Sequence, residues 1–409
     1  MDKKFCVIGK SLPHTFSPEI HGMFGLEYGV VELPELEDLE QFVKSNQYDG
    51  FNVTIPYKRD IMPMLDHISQ DAFEIGAVNT VVKKDGELYG YNTDVDGIRY
   101  ALKHADIDVT NKKVVVLGSG GTAHTAKYAV KDMAKEVIVV SRTGDINYNN
   151  IYDIKDIDVI INTTPVGMYP NSDPSPIDLE QLPSVTGVFD AIYNPLRTTL
   201  LLQAESLGMK TANGLGMLVE QARVARDLFV GDESNEKLSD FVLEVLYKKK
   251  RNIVFIGMPG SGKTTFGRLL AEELGKEFVD IDSEIVNREG MTIPAIFEEK
   301  GEEYFRNVEM QVVAEVSSKF NQVISTGGGS PLNKDNRINL RHNGFVILVD
   351  RAVESLETDG RPLSISMDLK EMLERRMPIY NKAKDAQIFC DGNIENTLRR
   401  IREVLWRKF

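Results

Sequence analysis

Two glycine-rich turns, each set between an apolar strand and a helix-like stretch, constrain this chain more than any other feature. The first is Gly118-Ser119-Gly120-Gly121-Thr122-Ala123, entered from the apolar run 112–117 and left into the helical pattern 122–133. The second is Gly257-Met258-Pro259-Gly260-Ser261-Gly262-Lys263-Thr264, entered from 252–256 and left, through Thr265, into 265–274. Turns of this kind let bare backbone N–H groups and a helix N-terminus surround phosphate, and they belong to parallel sheets covered by helices. The predicted class is α/β with two nucleotide sites. Apolar runs at 136–140, 159–162 and 188–189 continue the strands of the first half, and the helical pattern 218–229 closes it.

The length of 409 residues suits two or three domains at roughly 100–200 residues each. Charge divides the chain as well: residues 1–247 carry 22 basic against 37 acidic side chains, and 248–409 carry 26 against 25. The boundary is placed at Lys248-Lys249-Lys250-Arg251, read as a solvated connector after the helical stretch 238–247. A net charge of -14 argues against a nucleic-acid groove, which needs a basic stripe. Cys6 and Cys390 are too few for a disulfide framework and lack metal-ligand spacing, and no signal-like segment or long apolar run is present. A cytoplasmic chain with no membrane or nucleic-acid partner is expected.

The first turn has dinucleotide spacing, although alone it also reads as a tight β-α turn. An acid at the end of the next strand would hold a ribose 2'-hydroxyl, but that strand ends in Ser141-Arg142-Thr143, and Arg142 can pair with a 2'-phosphate. NADP(H) is thus predicted over NAD; without the glycine turn Arg142 would read as a surface arginine. The second turn has the P-loop pattern G-x-x-x-x-G-K-T, with Lys263 for the outer phosphates and Thr264 for Mg2+. Asp280-Ile281-Asp282 is read as a strand end whose two aspartates divide metal and substrate duties; both aspartates also read as strand-end solvation. No Asn-Lys-x-Asp guanine signature occurs, which favours ATP.

Three polar clusters remain in the first half: His14-Thr15-Phe16-Ser17-Pro18, Asn52-Val53-Thr54-Ile55-Pro56-Tyr57-Lys58 and Asn92-Thr93-Asp94. Paired hydroxyls can face one carboxylate, and a lysine near an aspartate can pass a proton to a carbonyl under reduction. Spacing alone does not join them. Taken singly, Lys58 and Asp94 read as exposed charges, and His14 and His21 as polar residues of a loop and a helix.

On these clusters, together with Gly76-Ala77-Val78-Asn79-Thr80, the segments 161–168 and 190–195, and Gly214-Leu215-Gly216-Met217-Leu218-Val219-Glu220-Gln221, residues 3–247 resemble the shikimate dehydrogenases. The resemblance implies that Thr15 and Ser17 hold a substrate carboxylate and that Thr54, Asn79, Asp94 and Gln221 bind ring hydroxyls. Lys58 and Asp94 would be the catalytic pair, with Tyr193, Gly214 and Met217 bordering nicotinamide and substrate. Thr15 stands where that family usually has a serine. Residues 252 to about 405 resemble the shikimate kinases on the P-loop, Phe305-Arg306, Gly327-Gly328-Gly329, Arg361-Pro362-Leu363 and Arg376-Met377-Pro378-Ile379-Tyr380. Here Arg306 and Arg376 would grip the carboxylate, the triple glycine would admit the ring, and Asp282 would orient the attacking hydroxyl. Asp280 and Thr264 would hold Mg2+, and Arg361 would cover the phosphates from a lid in which Glu357 lies about where an adenine-stacking arginine is often found.

The implied layout is a substrate domain at 1–98 and 214–247, a Rossmann NADP-binding domain at 99–213, a linker at 248–251 and a P-loop kinase domain at 252–409. The implied function is reduction of 3-dehydroshikimate to shikimate, then phosphorylation of shikimate from MgATP. Two alternatives stand beside it: a quinate/shikimate dehydrogenase in the first half, or a metabolite sensor in which one unit has lost its chemistry.

Overall fold

A computed structural model of the chain describes residues 3–12, 15–172, 174–356 and 369–408. Three sheets organise it. The first contains β1 (Phe5–Gly9), β2 (Tyr28–Glu32), β3 (Gly50–Val53), β4 (His67–Ile68), β5 (Thr80–Lys84) and β6 (Glu87–Tyr91), in the order β2-β1-β3-β5-β6-β4. β1 runs parallel to β2 and β3, while β5 is antiparallel to β3 and β6. α1 (Ser17–Met23), α2 (Leu36–Ser45) and α3 (Gln70–Ile75) connect these strands. α4 (Asp94–His104) then leads to the second sheet, and the boundary expected at 98/99 falls inside this helix.

The second sheet is wholly parallel: β7 (Lys113–Leu117), β8 (Glu136–Val140), β9 (Val159–Asn162), β10 (Gly187–Asp190) and β11 (Lys210–Ala212), ordered β11-β10-β9-β7-β8. Its strands are apolar toward both faces. Val114, Val116 and Ile161 pack with α4 and α5 (Gly121–Val130), while Val115, Leu117 and Ile160 pack with α6 (Thr199–Ser206). This two-sided burial is why the sequence shows continuous apolar runs rather than alternation. α7 (Gly214–Val230) follows and crosses α4. At the crossing a Cβ on Gly97 would lie 2.5 Å from the Met217 carbonyl oxygen, so only glycine admits the contact.

α8 (Glu236–Lys250) precedes the third sheet, and the division into two compact units falls within this helix, between Glu244 and Val245. The expected connector at 248–251 is therefore corrected: Lys248, Lys249 and Lys250 are the last helical turn. Their charges suit the negative end of a helix, and Lys276 Nζ donates to the carbonyls of Lys248, Lys249 and Arg251 at 2.8, 3.3 and 3.1 Å. Burial lowers the Lys276 pKa to about 8.

The third sheet is also wholly parallel: β12 (Asn252–Ile256), β13 (Glu277–Asp280), β14 (Gln322–Ser325), β15 (Gly344–Arg351) and β16 (Ala386–Cys390), ordered β13-β14-β12-β15-β16. It carries α9 (Lys263–Leu274), α10 (Ile281–Glu289), α11 (Ile293–Ser318), α12 (Lys334–Asn343) and two further helices, Leu369–Ala383 and Ile394–Lys408. In both parallel sheets the glycine turn leaves an inner strand, β7 or β12, where neighbouring connections diverge. A crevice opens at the carboxyl edge there. Among the described residues no helix is long and apolar enough to cross a membrane.

Replacing Gly97 by alanine should destabilise the N-terminal unit by about 1–3 kcal/mol through overpacking, despite alanine's better helix propensity. Gly22→Ala is the control, because its Cβ would meet nothing within 4 Å. Urea midpoints of the two variants check this: a lower midpoint for Gly97→Ala alone is expected.

Candidate active sites

The first site gathers at the carboxyl edge of β1 and β3. Lys58 lies on the loop after β3, and Asp94 opens α4, where the partial positive charge of a helix N-terminus favours a carboxylate. Lys58 Nζ donates to Asp94 Oδ2 at 2.6 Å, with the two side chains 19% and 8% exposed. They are a pair, not two surface charges. Asn79 sets the entry of α4: its Oδ1 accepts from Thr93 N at 2.8 Å and its Nδ2 donates to Thr93 Oγ1 at 3.1 Å. Asn52 supports Asn79 in turn, donating to its carbonyl at 3.2 Å and to Thr80 Oγ1 at 3.0 Å, while Tyr28 OH donates to Asn52 Oδ1 at 2.6 Å.

Thr15 Oγ1 donates to Ser17 Oγ at 3.1 Å, and Ser17 N donates back to Thr15 Oγ1 at 3.2 Å. Thr54 is half-buried beside Gly9, where a Cβ would stand 2.7 Å from its methyl group. Phe16 and Tyr193 rings meet at 5.2 Å, and burial raises the Tyr193 pKa. Gly214 is pressed against the Ala191 carbonyl, leaving no room for a Cβ, and Met217 sits at the α4 crossing. Gln221 is buried, with its Nε2 turned onto the Leu218 carbonyl at 2.8 Å. His21 differs from its sequence reading as an ordinary polar helix residue: it is fully buried, stacked on Tyr28 at 3.9 Å, and burial lowers its pKa to about 3. His14 lies outside the described residues.

At the second sheet's edge Gly118 has φ +113, a conformation an L side chain rarely adopts. Gly120 and Gly121 open α5 with nothing within 4 Å of where a Cβ would be, so the helix N-terminus has a bare approach flanked by Ser119, Thr122 and Ala123. Ser141 is buried and Arg142 and Thr143 are exposed at the turn after β8. Beside this edge Asp190 is fully buried with no cation against it. Its Oδ1 accepts from Asn162 Nδ2 and Ile192 N at 3.0 and 3.1 Å, and its Oδ2 from Thr198 Oγ1 at 2.7 Å. Burial outweighs these donors and raises its pKa to about 7.

The second site is a cavity of about 520 Å3 in the C-terminal unit. Gly257, Gly260 and Gly262 have φ of +144, +80 and +98, which is why these P-loop positions are glycine. Lys263 Nζ is buried against the carbonyls of Gly257 and Met258 at 3.1 and 2.9 Å, and the buried Ser261 Oγ has no partner. Thr264 and Thr265 are exposed on the first turn of α9, and Thr264 Oγ1 donates to Asp280 Oδ2 at 3.0 Å. The expectation that Asp280 and Asp282 share a strand end is corrected. Asp280 ends β13 and caps α10, its Oδ1 accepting from Ser283 N at 3.1 Å, so Asp282 lies in the first helical turn and both line the same cavity.

Opposite stand Arg306, Arg376 and the triple glycine. A Cβ on Gly327 would lie 2.7 Å from Asp282 Oδ1, on Gly328 2.7 Å from Pro259 Cδ, and on Gly329 2.8 Å from Arg306 Nη1. Arg376 is buried, and its Nη1 has no acceptor. Arg361 and the rest of 357–368, including Glu357, lie outside the described residues.

Comparison with known proteins decides the family. Residues 7–81 match the family model "Shikimate dehydrogenase substrate binding domain", and residues 259–406 match the model "Shikimate kinase". A shikimate dehydrogenase (NADP(+)) of Caldicellulosiruptor bescii is 41% identical over 280 residues, covering 61% of this chain and 96% of that one. The chain belongs to the shikimate dehydrogenase family.

Among solved structures similar to this shikimate dehydrogenase family member is a chorismate mutase/shikimate 5-dehydrogenase fusion protein from Clostridium acetobutylicum, at TM-score 0.57 and 36% identity, covering 60% of this chain and 97% of that one. Another is the Thermus thermophilus shikimate 5-dehydrogenase in complex with NADP(H) and shikimate, at TM-score 0.55 and 29% identity, covering 59% and 99%. With its C-terminal shikimate kinase domain, the chain joins two enzyme domains, an oxidoreductase and a kinase.

Glu309 escaped the sequence reading, and Asp190 entered it only as the first residue of the segment 190–195, with no role of its own. Glu309, one turn after Arg306, accepts from Arg306 Nη1 at 2.9 Å with its own side chain 2% exposed. Burial raises the Glu309 pKa against the pull of Arg306. The i,i+3 spacing was the available signal. Asp190 had no such signal, because Asn162 is 28 residues away.

Asp190 gives a testable sign. A carboxyl with its pKa raised to about 7 in the folded state binds more protons there than in the unfolded chain between about pH 4 and 7. Stability contributed by this group therefore falls as pH rises through that window. Asp190→Asn should flatten the fall, seen as a smaller change in N-terminal-unit urea midpoint between pH 4.5 and 7.5 than in the parent; an identical change would contradict it.

Proposed function

We propose that the N-terminal unit reduces 3-dehydroshikimate to shikimate with NADPH, and that the C-terminal unit phosphorylates the 3-hydroxyl of shikimate from MgATP. The observation that carries the first half is the 2.6 Å Lys58–Asp94 pair, partly buried where the loop after β3 meets the start of α4. The residues fit the nucleotide: the bare N-terminus of α5 suits a pyrophosphate, and the exposed Arg142 suits a 2'-phosphate. Bound NADPH supplies the hydride. Lys58 donates the proton that the substrate oxygen takes up, and Asp94 holds the lysine ammonium in place. Thr15 and Ser17 offer two hydroxyls to the substrate carboxylate once they release each other, and Thr54 and Asn79 line the ring. Gln221, now bonded to its own helix, reaches the ring by a side-chain rotation.

For the kinase, the P-loop amides and Lys263 would hold the phosphates of ATP. The unpartnered Ser261 hydroxyl and the left-handed glycines fit that load. Thr264 and Asp280 suit Mg2+ that takes its other ligands from phosphates and water. Asp282 accepts the proton of the attacking hydroxyl, against a floor that Gly327 keeps open. Arg376, with a buried unfilled donor, and Arg306 receive the acid's carboxylate. Arg306 keeps Glu309 as a fixed partner and exchanges the exposed Glu302, 3.2 Å away and worth little in water, for the substrate. Arg361 is assigned to the phosphates from the sequence alone.

Substitution separates the two activities. Lys58→Ala should lower kcat for NADPH oxidation by about 100-fold or more, the range of positioned acid catalysis, while leaving phosphorylation of added shikimate intact. Lys263→Ala should abolish ADP formation and spare NADPH oxidation. Steady-state assays of both variants check this, and an equal fall of both activities in either variant would refute independent sites. Comparing kcat/KM for shikimate and quinate oxidation tests the acid, with shikimate expected to be preferred.

A further inference from the structure

The phosphoryl-transfer cavity has two ends, and an acid substrate with a phosphate chain fills only one of them. The sheet order β13-β14-β12-β15-β16 puts the P-loop in the middle, with the loops after β13 and β14 on one side and those after β15 and β16 on the other. Asp280, Asp282 and Gly327 to Gly329 come from the first side. The second side contributes Arg351, Cys390, Gly392 and Ile394 to the same cavity. Transfer is in line, so a nucleotide whose outer phosphate points at Asp282 must carry its nucleoside toward this second side.

We propose that Arg351 stacks its guanidinium on the nucleobase of bound ATP, opposite the turn that bears Gly392 and Ile394. This rests on the kinase reading and deepens it. Arg351 is the last residue of β15 and is paired in register with Cys390 of β16. Its Nη1 donates to the Gly260 carbonyl at 3.2 Å, which ties the guanidinium to the P-loop beside the phosphates. Its Nε is buried and has no partner among the described residues. A planar, weakly hydrated cation held at one edge is suited to lie against an aromatic ring. Ile394, which lines the same cavity, is 50% exposed, an apolar surface that a base would cover. Gly392 has φ +86 and nothing within 4 Å of a Cβ, so the floor between them is open. Asp350, next to Arg351, accepts from Gln387 Nε2 at 2.9 Å, and Asp391, next to Gly392, is occupied by Arg400 at 3.0 Å.

Calorimetric titration of the full chain with MgATP and, separately, with inorganic tripolyphosphate tests the assignment. Two variants are used: Arg351→Ala, and Arg351→Gln, which keeps a donor for the Gly260 carbonyl. Both should weaken ATP by about 5- to 30-fold, the range of a desolvated cation–π contact, and leave tripolyphosphate within about twofold. Retained tripolyphosphate binding reports that the C-terminal unit of each variant is folded, and unchanged NADPH oxidation reports the same for the N-terminal unit. Unchanged ATP affinity would overturn the proposal, and so would an equal loss for both ligands, which would reduce Arg351 to a brace for the P-loop. If the parent chain bound neither ligand, the kinase reading itself would fall and take this assignment with it.

Discussion

A strand that is apolar toward both faces, as Val114 to Leu117 and Ile253 to Ile256 are, has no place for a polar side chain except beyond its end. That constraint governs the two parallel sheets. Each glycine turn follows an inner strand, and each turn needs backbone that side chains would obstruct. Phosphate chemistry is therefore confined to one edge of each sheet. In the first sheet the same logic operates at the ends of β1 and β3, where the segments carrying Thr15 to Ser17 and Thr54 to Lys58 leave neighbouring strands.

Placing ions at such edges requires partners. Lys58 and Asp94 neutralise each other, Arg306 is matched by a buried Glu309, and Asp190 relies on three neutral donors. The three solutions have different consequences. Removing one member of a buried ion pair costs about 3–5 kcal/mol because the other is left uncompensated. A carboxyl satisfied only by neutral donors instead shifts its titration toward neutrality, as Asp190 does. Arg306 is held on its buried side by Glu309 and left exchangeable on its exposed side at Glu302, which suits the carboxylate-binding role proposed for it.

The sequence was legible where a residue type answers a local backbone demand. Gly118, Gly257, Gly260 and Gly262 each take a positive φ, and the turns they form lie where the spacing placed them. Legibility failed where two elements share a boundary. Asp280 belongs to a strand and caps a helix at once, which moved Asp282 from the expected strand end into the first turn of α10, with both carboxylates lining one cavity. α7 starts at Gly214, four residues before the expected pattern, because Asn213 caps it by accepting from Leu215 N at 3.0 Å while Gly214 and Gly216 weaken the periodic signal. The supports of the dehydrogenase site were out of reach for another reason. Asn52 bonds Asn79 across 27 residues and Asn79 bonds Thr93 across 14, and only tertiary structure joins them.

The central claim is that one small acid passes through two chemically complete sites, gaining a hydroxyl in the first and a phosphate on it in the second. Its most direct test is a single cuvette holding the purified chain, 3-dehydroshikimate, NADPH and MgATP, with NADPH loss and ADP release followed together. ADP should appear only when NADPH is present and should approach the amount of NADPH consumed. ADP formed at the same rate without NADPH, or NADPH consumed with no ADP following, would contradict the account.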